Sequence, residues 1–188
     1  MGLGTIYTGR KEKIMKNMEI EKKYLIKSIP DNLDNYRHYD IEQAYISASP
    51  AIRVRKKGVY LDGNLSPTYI LTVKGKGLIK REEFELTLEK NEYDNLLKKA
   101  EGNVITKCRY LIPLTEGLSL ELDIFQGIFK GLVMGEIEFP DEDSAKKYNP
   151  PAFIGREVTF DERFHNSVMS TMSEADISDL LALMNECN

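Results

Sequence analysis

The chain has 188 residues, of which 41% are hydrophobic and 30% charged, and its formal net charge is −4. These values indicate one globular domain with a substantial core, and they exclude the overall basic character of a general nucleic-acid or membrane-surface binder. The two cysteines have no metal-binding or redox spacing, so no disulfide framework is expected and a reducing cytoplasm is the predicted compartment.

The N-terminal segment lacks the apolar stretch of a secretory signal. Its composition predicts a poorly structured extension over 1–17, ahead of a single domain over 18–188. The domain opens with the segment MEIEKKYLI, in which Glu19, Glu21 and Lys23 occupy every second position. Because successive side chains of an extended chain point to opposite faces, these three are predicted to project from one face of a strand.

Further strand-like segments follow, and they are bounded by glycine, proline and asparagine residues typical of turns. The connections are short, which favours antiparallel pairing over parallel crossovers. Helical patterns occupy 31–37, 90–101, 141–148 and the C-terminal region, where Ser173 and Asp176 match an N-terminal capping signal. The predicted strands lie at 18–26, 40–48, 51–60, 68–76, 80–89, 104–113, 118–126 and 131–139.

Full charges recur at alternate positions of most of these strands, opposite apolar residues. Arg53 and Arg55, for example, alternate with Ile52 and Val54. A half-buried antiparallel sheet with a solvated outer face explains any one such strand. It explains the whole set less well, because same-sign charges two residues apart repel and gain nothing from adjacency. The other alternating sets are Lys74 with Lys76, Arg81 with Glu83 and Glu85, Lys107 with Arg109, Glu121 with Asp123, and Glu136 with Glu138.

The alternative is an α+β fold in which the charged faces curl inward. It predicts an eight-stranded antiparallel closed β-barrel, a tunnel with a polar charged lumen and with helices packed on the outside. Such a barrel has room inside for one small ligand. Clustered charges need a counterpart there, because burying them unpaired is costly. A polyanion with a divalent metal meets this need, since guanidinium and ammonium groups bind phosphate oxygens and carboxylates bind Mg²⁺ or Mn²⁺.

The motifs, taken in order, resemble those of the CYTH superfamily, the triphosphate tunnel metalloenzymes, in their compact bacterial form. Glu19-Ile-Glu21-Lys-Lys23 resembles the N-terminal ExExK signature, and GREVTFDERFHNS, from Gly155, resembles the tail element of that family. The signature glutamates usually sit very near the N-terminus, so residues 1–17 are a departure. The motifs that match between signature and tail are Arg53-Val-Arg55, Thr72-Val-Lys74, Arg81-Glu-Glu83-Phe-Glu85, Lys107-Cys-Arg109, Asp123-Ile-Phe125 and Glu136-Ile-Glu138.

The resemblance implies a triphosphate-containing small molecule as substrate and Mg²⁺ or Mn²⁺ as cofactor, with two ions present when substrate is bound. The leading prediction is a divalent-metal-dependent triphosphatase that hydrolyses a phosphoanhydride bond of inorganic tripolyphosphate by direct attack of water. A class IV-type adenylate cyclase and a thiamine or nucleoside triphosphatase are alternatives on the same fold. A non-catalytic polyphosphate-binding module is an alternative of another class. Neither nucleic acid nor a membrane is an expected partner, and the resemblance favours a homodimer.

Roles follow for individual residues. His38 and His165 are expected to be structural or on the surface. Gln43 and Tyr45 are expected to pack, and the alternative for both is a place at the mouth of the tunnel. Lys76, beside a turn, is a weaker candidate for phosphate binding. Catalytic roles are predicted for Glu19, Glu21 and Lys23; phosphate binding for Lys23, Arg53, Arg55, Lys74, Arg81, Lys107 and Arg109; and metal binding for Glu19, Glu21, Glu83, Glu85, Asp123, Glu136 and Glu138, with Glu121 as an additional carboxylate.

Overall fold

The computed structural model describes residues 17–61, 64–75 and 80–185. Nine strands run through this part of the chain, and they pair antiparallel in one sheet. The predicted antiparallel sheet with a few helices is therefore confirmed. The strands are β1 (Asn17–Ile26), β2 (His38–Ala48), β3 (Ala51–Leu61), β4 (Asn64–Lys74), β5 (Lys80–Leu88), β6 (Ile105–Pro113), β7 (Ser119–Phe125), β8 (Val133–Glu138) and β9 (Ile154–Glu157), and the helices are α1 (Lys90–Leu97), α2 (Glu142–Lys147), α3 (Asn166–Met169) and α4 (Glu174–Asn185).

The predicted count of eight strands is wrong, because the short strand β9 also joins the sheet. It has only four residues, too few for an alternating pattern to be recognised in the sequence. It forms beside β1, where Tyr24 pairs with Glu157 and Ile26 pairs with Ile154. The strand character of this segment therefore comes from its tertiary partner rather than from its own residues.

The helical predictions are met unevenly. The segment 31–37 forms only a 3-10 turn at Leu33–Asn35, because Asn32 before it takes a left-handed conformation with φ of 59°. α1, α2 and α4 form within the predicted segments, and the Ser173 hydroxyl donates to the Asp176 carboxylate at 2.6 Å in the expected cap. Among the described residues, no helix combines the length and apolar character needed to cross a bilayer.

Two predictions fall outside the described residues. These are the poorly structured extension over 1–17, apart from Asn17 at the start of β1, and the phosphate-binding candidate Lys76. They stay predictions.

β1 brings the two ends of the strand order together. The order is β5-β4-β3-β2-β6-β7-β8-β1-β9, and an additional ladder joins β1 to β5 through residues 17–20 and 80–83. β8 pairs along 21–25 of β1, whereas β5 and β9 follow one another along its other edge. The sheet thus curves back on itself, but it has nine strands, and β5 and β9 share one edge of β1. It is therefore not the predicted eight-stranded closed barrel. Alternation shows which face of a strand is buried, but it does not show which strands share its edges.

Two helices cover the outer face of the sheet. α1 packs on β2, β3 and β4, where Tyr93 joins a buried cluster with Ala44 and Val54. α2 packs over a second cluster, which includes Ile137 and Ala145. Because neighbouring residues of a strand point in opposite directions, burying these apolar side chains on the outside turns their charged neighbours inward.

The inward face changes from charged to apolar toward one end of the sheet. Leu25, Tyr45, Ile105 and Phe125 each lie two residues from a polar or charged inward position. They form one buried cluster with residues of α3 and α4, among them Leu180. The prediction that the helices pack on the outside is therefore wrong for α3 and α4, which cover an apolar end of the inward face. The alternating pattern does not predict this, because strand parity does not show where along a strand a helix will pack.

Candidate active site

A cavity of about 1020 Å³ lies on the inward face of the sheet. Each strand from β1 to β8 contributes at least one polar or charged side chain to its lining, and Tyr45 belongs both to the lining and to the apolar cluster. The charged faces of separate strands therefore meet around one space. The predicted site residues that line it are Glu21, Lys23, Arg53, Arg55, Lys74, Glu83, Glu85, Lys107, Arg109, Glu136 and Glu138.

Three predicted site residues are placed differently. Asp123 is buried and is bound by Lys107 and Arg109, but it does not line the cavity. The side chains of Glu19 and Arg81 lie outside the part of the chain that the structure describes. Their backbones are directly opposite one another in the β1–β5 ladder.

The cations of β6 are neutralised by carboxylates of β7 and β8. Arg109 donates from Nε and Nη2 to the two oxygens of Asp123, both at 2.6 Å, and Nη2 also donates to Glu136 Oε2 at 2.7 Å. Arg109 also binds Glu121, and Lys107 binds Asp123. The sheet register produces this network, because Arg109 and Asp123 are directly opposite on β6 and β7. Each cation of this wall therefore has an acidic partner.

Burial and neighbouring charges compete in setting the pKa values of this network. Burial lowers the pKa of Arg109, but the Asp123 and Glu136 carboxylates prevail and hold it above its ordinary value. Burial and the Arg109 charge lower the pKa of Lys107 to about 8, against the attraction of Asp123. Burial raises the pKa of Glu136, but Lys23 and Arg109 hold it well below its usual range. Arg109 and Glu136 are therefore charged in the folded protein.

Lys23 connects the first strand to the same network. Its ammonium group lies 3.1 Å from Glu21 Oε1 and also binds Glu136. Burial lowers the pKa of Lys23, but Glu136 and Glu21 outweigh it and raise the pKa above its ordinary value. The first motif thus presents an ion pair to the cavity rather than an isolated cation.

Arg53 and Arg55 on β3 have much weaker acidic partners. Arg55 Nη2 lies 3.3 Å and Arg53 Nη2 lies 4.0 Å from the same oxygen of Glu85, whose side chain is 46% exposed. Arg53 also donates to the Thr72 hydroxyl at 3.1 Å. Burial and the charges of Arg53 and Arg109 lower the pKa of Arg55 to about 10. This wall therefore carries positive charge that the protein does not fully compensate, as an anion-binding site requires.

Carboxylates gather around Glu138. Burial raises the pKa of Glu138, and the charges of Glu121, Glu21 and Glu83 raise it further. Glu138 lies directly opposite Glu21 on β1, where two like charges repel. Carboxylate oxygens are the donors that Mg²⁺ and Mn²⁺ prefer. Within the described part of the chain, no group of three or more His, Cys, Asp or Glu side chains is close enough to hold a metal ion, so a cation there would have to draw these carboxylates together.

Several lining residues were not predicted as part of the site. Gln43 and Tyr45, which were expected to pack, line the cavity, and Tyr45 also packs in the apolar cluster as expected. His165, which was expected to be structural or on the surface, also lines it, and its Nε2 lies 3.0 Å from the Thr159 carbonyl oxygen. Lys57 occupies the next alternate position of β3, so the strand parity could have identified it. His165 lies in the tail segment, whose sequence alone does not show that it returns to the cavity.

The fold and the cavity together define a class of protein in which an antiparallel sheet presents a basic wall and a group of carboxylates to one space. No family model matches the chain. Over 155 residues the chain is 32% identical to the inorganic triphosphatase of Nitrosomonas europaea, covering 81% of this chain and 96% of that protein. Over 158 residues it is 34% identical to the inorganic triphosphatase of Acetivibrio thermocellus, covering 79% and 90%.

A solved structure agrees with these relatives. The crystal structure of the inorganic triphosphatase NE1496 superposes with a TM-score of 0.61 at 28% identity, covering 82% of this chain and 95% of that one. The chain therefore belongs to the CYTH superfamily, the triphosphate tunnel family, and the resemblance of its ordered motifs is confirmed. Within that family, the relatives it matches over most of their length are inorganic triphosphatases.

Proposed function

We propose that the protein is a divalent-metal-dependent hydrolase of the terminal phosphoanhydride bond of inorganic tripolyphosphate. The observation that carries this proposal is the cavity, in which the under-compensated arginines of β3 and the carboxylates around Glu138 face one space. The names of the two relatives, which match over most of the chain, support inorganic tripolyphosphate as the substrate.

In the proposed reaction a water oxygen bonds to the terminal phosphorus and the bridging phosphorus–oxygen bond breaks. Orthophosphate and pyrophosphate are the products. Phosphoryl transfer of this kind depends on positioning and on stabilising the charge of the phosphoryl oxygens, rather than on covalent chemistry by the protein. Direct attack by water therefore suits a cavity whose polar groups are mainly cations and carboxylates.

Arg53 and Arg55 are the primary phosphate ligands in this proposal. Both face the cavity, and their nearest acidic neighbour is the half-exposed side chain of Glu85. Lys107 and Arg109 are already paired with Asp123, so binding phosphate there requires competition with a buried carboxylate. Lys23, Lys74 and Arg81 complete the proposed set of phosphate-binding residues.

The metal would be held by the carboxylates around Glu138. Glu21, Glu83 and Glu121 raise its pKa through their charges, and a bound Mg²⁺ or Mn²⁺ would relieve that repulsion. When bound, the cation supplies charge stabilisation to phosphate oxygens and lowers the pKa of an attacking water. Asp123 and Glu136 fit a metal less well, because two buried cations hold each of them. Glu21, Glu83 and Glu121 are paired with Lys23, Lys74 and Arg109, so a metal would compete with those ion pairs. A second ion at Glu19, Glu21, Glu83 and Glu85 remains part of the proposal.

We also propose that the cavity lined by β1 to β8 surrounds the substrate. The β1–β5 ladder and the contribution of all eight strands to one cavity support this arrangement. The apolar cluster under α3 and α4 would close one end of this cavity, which favours a short inorganic chain over a long polyphosphate.

The substrate and the reaction type are tested by one panel of assays. Tripolyphosphate, ATP and thiamine triphosphate are each incubated with Mg²⁺ or Mn²⁺, and orthophosphate and cyclic AMP are measured. The proposal expects the fastest orthophosphate release from tripolyphosphate and no cyclic AMP from ATP. Cyclic AMP would identify an adenylate cyclase, and tripolyphosphate binding without release under either metal would identify a binding module.

A further inference from the structure

Gln43 is an unpartnered hydrogen-bond donor inside the cavity. It lies in the middle of β2, is only 1% exposed and lines the cavity. Among the described residues, its side-chain nitrogen Nε2 is buried and has no hydrogen-bond partner. Buried amide groups are nearly always satisfied, so such a donor requires an explanation.

The sheet register explains why the protein offers no acceptor. Gln43 lies directly opposite Arg55 on β3 and directly opposite Ile105 on β6. An arginine side chain is a donor only, and an isoleucine side chain can neither donate nor accept. The diagonal neighbours on β3 are Arg53 and Lys57, which are also donors only. The side chains directly opposite Gln43 and its diagonal neighbours on β3 therefore offer it no acceptor.

Two other unpartnered donors lie beside Gln43. Arg53 Nε and Arg55 Nε are buried and have no hydrogen-bond partner in the described part of the chain. Both arginines line the same cavity. Three neighbouring side chains of β2 and β3 that line the cavity thus carry N–H groups without a partner among the described residues. A ligand that satisfies them all must be rich in acceptors and negatively charged, as a phosphoryl group is.

We infer that Gln43 is a substrate-binding residue whose side-chain amide donates a hydrogen bond to a phosphoryl oxygen held by Arg53 and Arg55. The inference rests on the proposed function and makes the β2–β3 wall the place where a phosphoryl group of tripolyphosphate is anchored. The neutral amide adds a donor opposite Arg55 without adding another positive charge. On β6, the other neighbour of β2, Arg109 already donates to carboxylates.

The test compares two substitutions at this position with a matched control. Gln43→Met keeps the length of the side chain and removes the donor, whereas Gln43→Glu keeps the shape and replaces the donor with a carboxylate that faces Arg55. Gln126→Met is the control, because Gln126 is exposed and does not line the cavity. The measurements are KM and kcat for tripolyphosphate with Mg²⁺, the Kd for tripolyphosphate in EDTA by calorimetry, and the melting temperature of the free protein.

Gln43→Met is expected to raise KM and Kd by about tenfold or more, the usual effect of a hydrogen bond to a charged group. It is also expected to leave the melting temperature unchanged or higher, because an unsatisfied buried donor is removed. Gln43→Glu is expected to weaken binding further, and Gln126→Met to change neither quantity. Weaker binding without a loss of melting temperature distinguishes a ligand-binding role of Gln43 from a structural one.

Unchanged KM and Kd in both Gln43 variants of an otherwise active protein would overturn the inference while leaving the proposed function intact. A lower melting temperature with unchanged KM would do the same, since it would give Gln43 a packing role. If the native protein neither bound tripolyphosphate nor released orthophosphate from it, the proposed function would fail, and this inference with it.

Discussion

Arg109 and Arg55 both line the cavity and have the same chemistry, but their surroundings are opposite. Arg109 is locked to Asp123 by two hydrogen bonds of 2.6 Å, and its charge is stabilised by its neighbours. Arg55 is also largely buried, but its pKa is lowered to about 10 because burial and Arg53 disfavour its charge. A buried ion pair is costly to break, whereas an under-compensated cation costs stability for as long as no anion is bound. The two arginines should therefore respond differently to substitution.

Replacing each arginine with methionine tests this difference. Arg109→Met is expected to lower the free energy of unfolding by about 3–5 kcal/mol, because it breaks a buried ion network. Arg55→Met is expected to leave stability unchanged or higher, while raising KM for tripolyphosphate by about tenfold or more. Urea unfolding and initial-rate kinetics measure the two effects. A larger loss of stability in Arg55→Met than in Arg109→Met would contradict the division of the cavity into a compensated and an under-compensated wall.

Lys107 gives a prediction for pH dependence. Its pKa is lowered to about 8 by burial and by Arg109, whereas an unfolded lysine titrates near its ordinary value of about 10.4. Between these values the unfolded chain binds more protons, so this group makes stability rise with pH. The unfolding free energy of the native protein minus that of Lys107→Met should therefore rise by about 1 kcal/mol per pH unit between pH 8 and 10. A difference that stays flat, or shrinks, over this range would show that Lys107 is not destabilised as a cation.

At the scale of secondary structure, the sequence predicts well which side chains share one face of a strand. It predicts poorly which strands pair along that strand's edges. Alternation identifies Arg53, Arg55, Glu136 and Glu138 as facing one side, because a strand's period is fixed at two residues. It does not identify β9, which is four residues long, or the sharing of one β1 edge between β5 and β9. Gln43 was missed for a related reason, since its lack of an acceptor depends on which residues lie opposite it. Pairing register is a tertiary property that no single strand encodes.

α4 covers the apolar end of the inward face, so it is expected to contribute to the stability of the fold. Leu180 is 1% exposed and packs in the cluster that covers this end, whereas Asp179 on the same helix is exposed. Leu180→Ala is expected to lower the free energy of unfolding by about 2–5 kcal/mol, because it leaves a cavity in packed core. Asp179→Ala is expected to change it by less than about 0.5 kcal/mol. Equal effects in thermal or urea unfolding would argue that α4 is not part of the core.

At the scale of the whole molecule, an acidic chain places its charges unevenly around one cavity. The net charge is −4, yet β3 presents a basic wall and the carboxylates around Glu138 form an acidic end. Neither a metal ion alone nor a bare polyanion complements both regions. A polyphosphate that carries a divalent cation does, because its oxygens meet the arginines and its metal meets the carboxylates. The substrate class thus follows from how charge is divided inside the molecule, and not from the total charge.

The most direct measurement is orthophosphate release from tripolyphosphate by the native protein and by Glu138→Gln, at saturating Mg²⁺ and again in EDTA. Glu142→Gln, on the exposed surface of α2, is the matched control. The native protein and the control are expected to release orthophosphate only when the metal is present. Glu138→Gln is expected to lose roughly 10- to 100-fold or more in kcat/KM while keeping its melting temperature. Equal release by Glu138→Gln, or undiminished release in EDTA, would contradict the account.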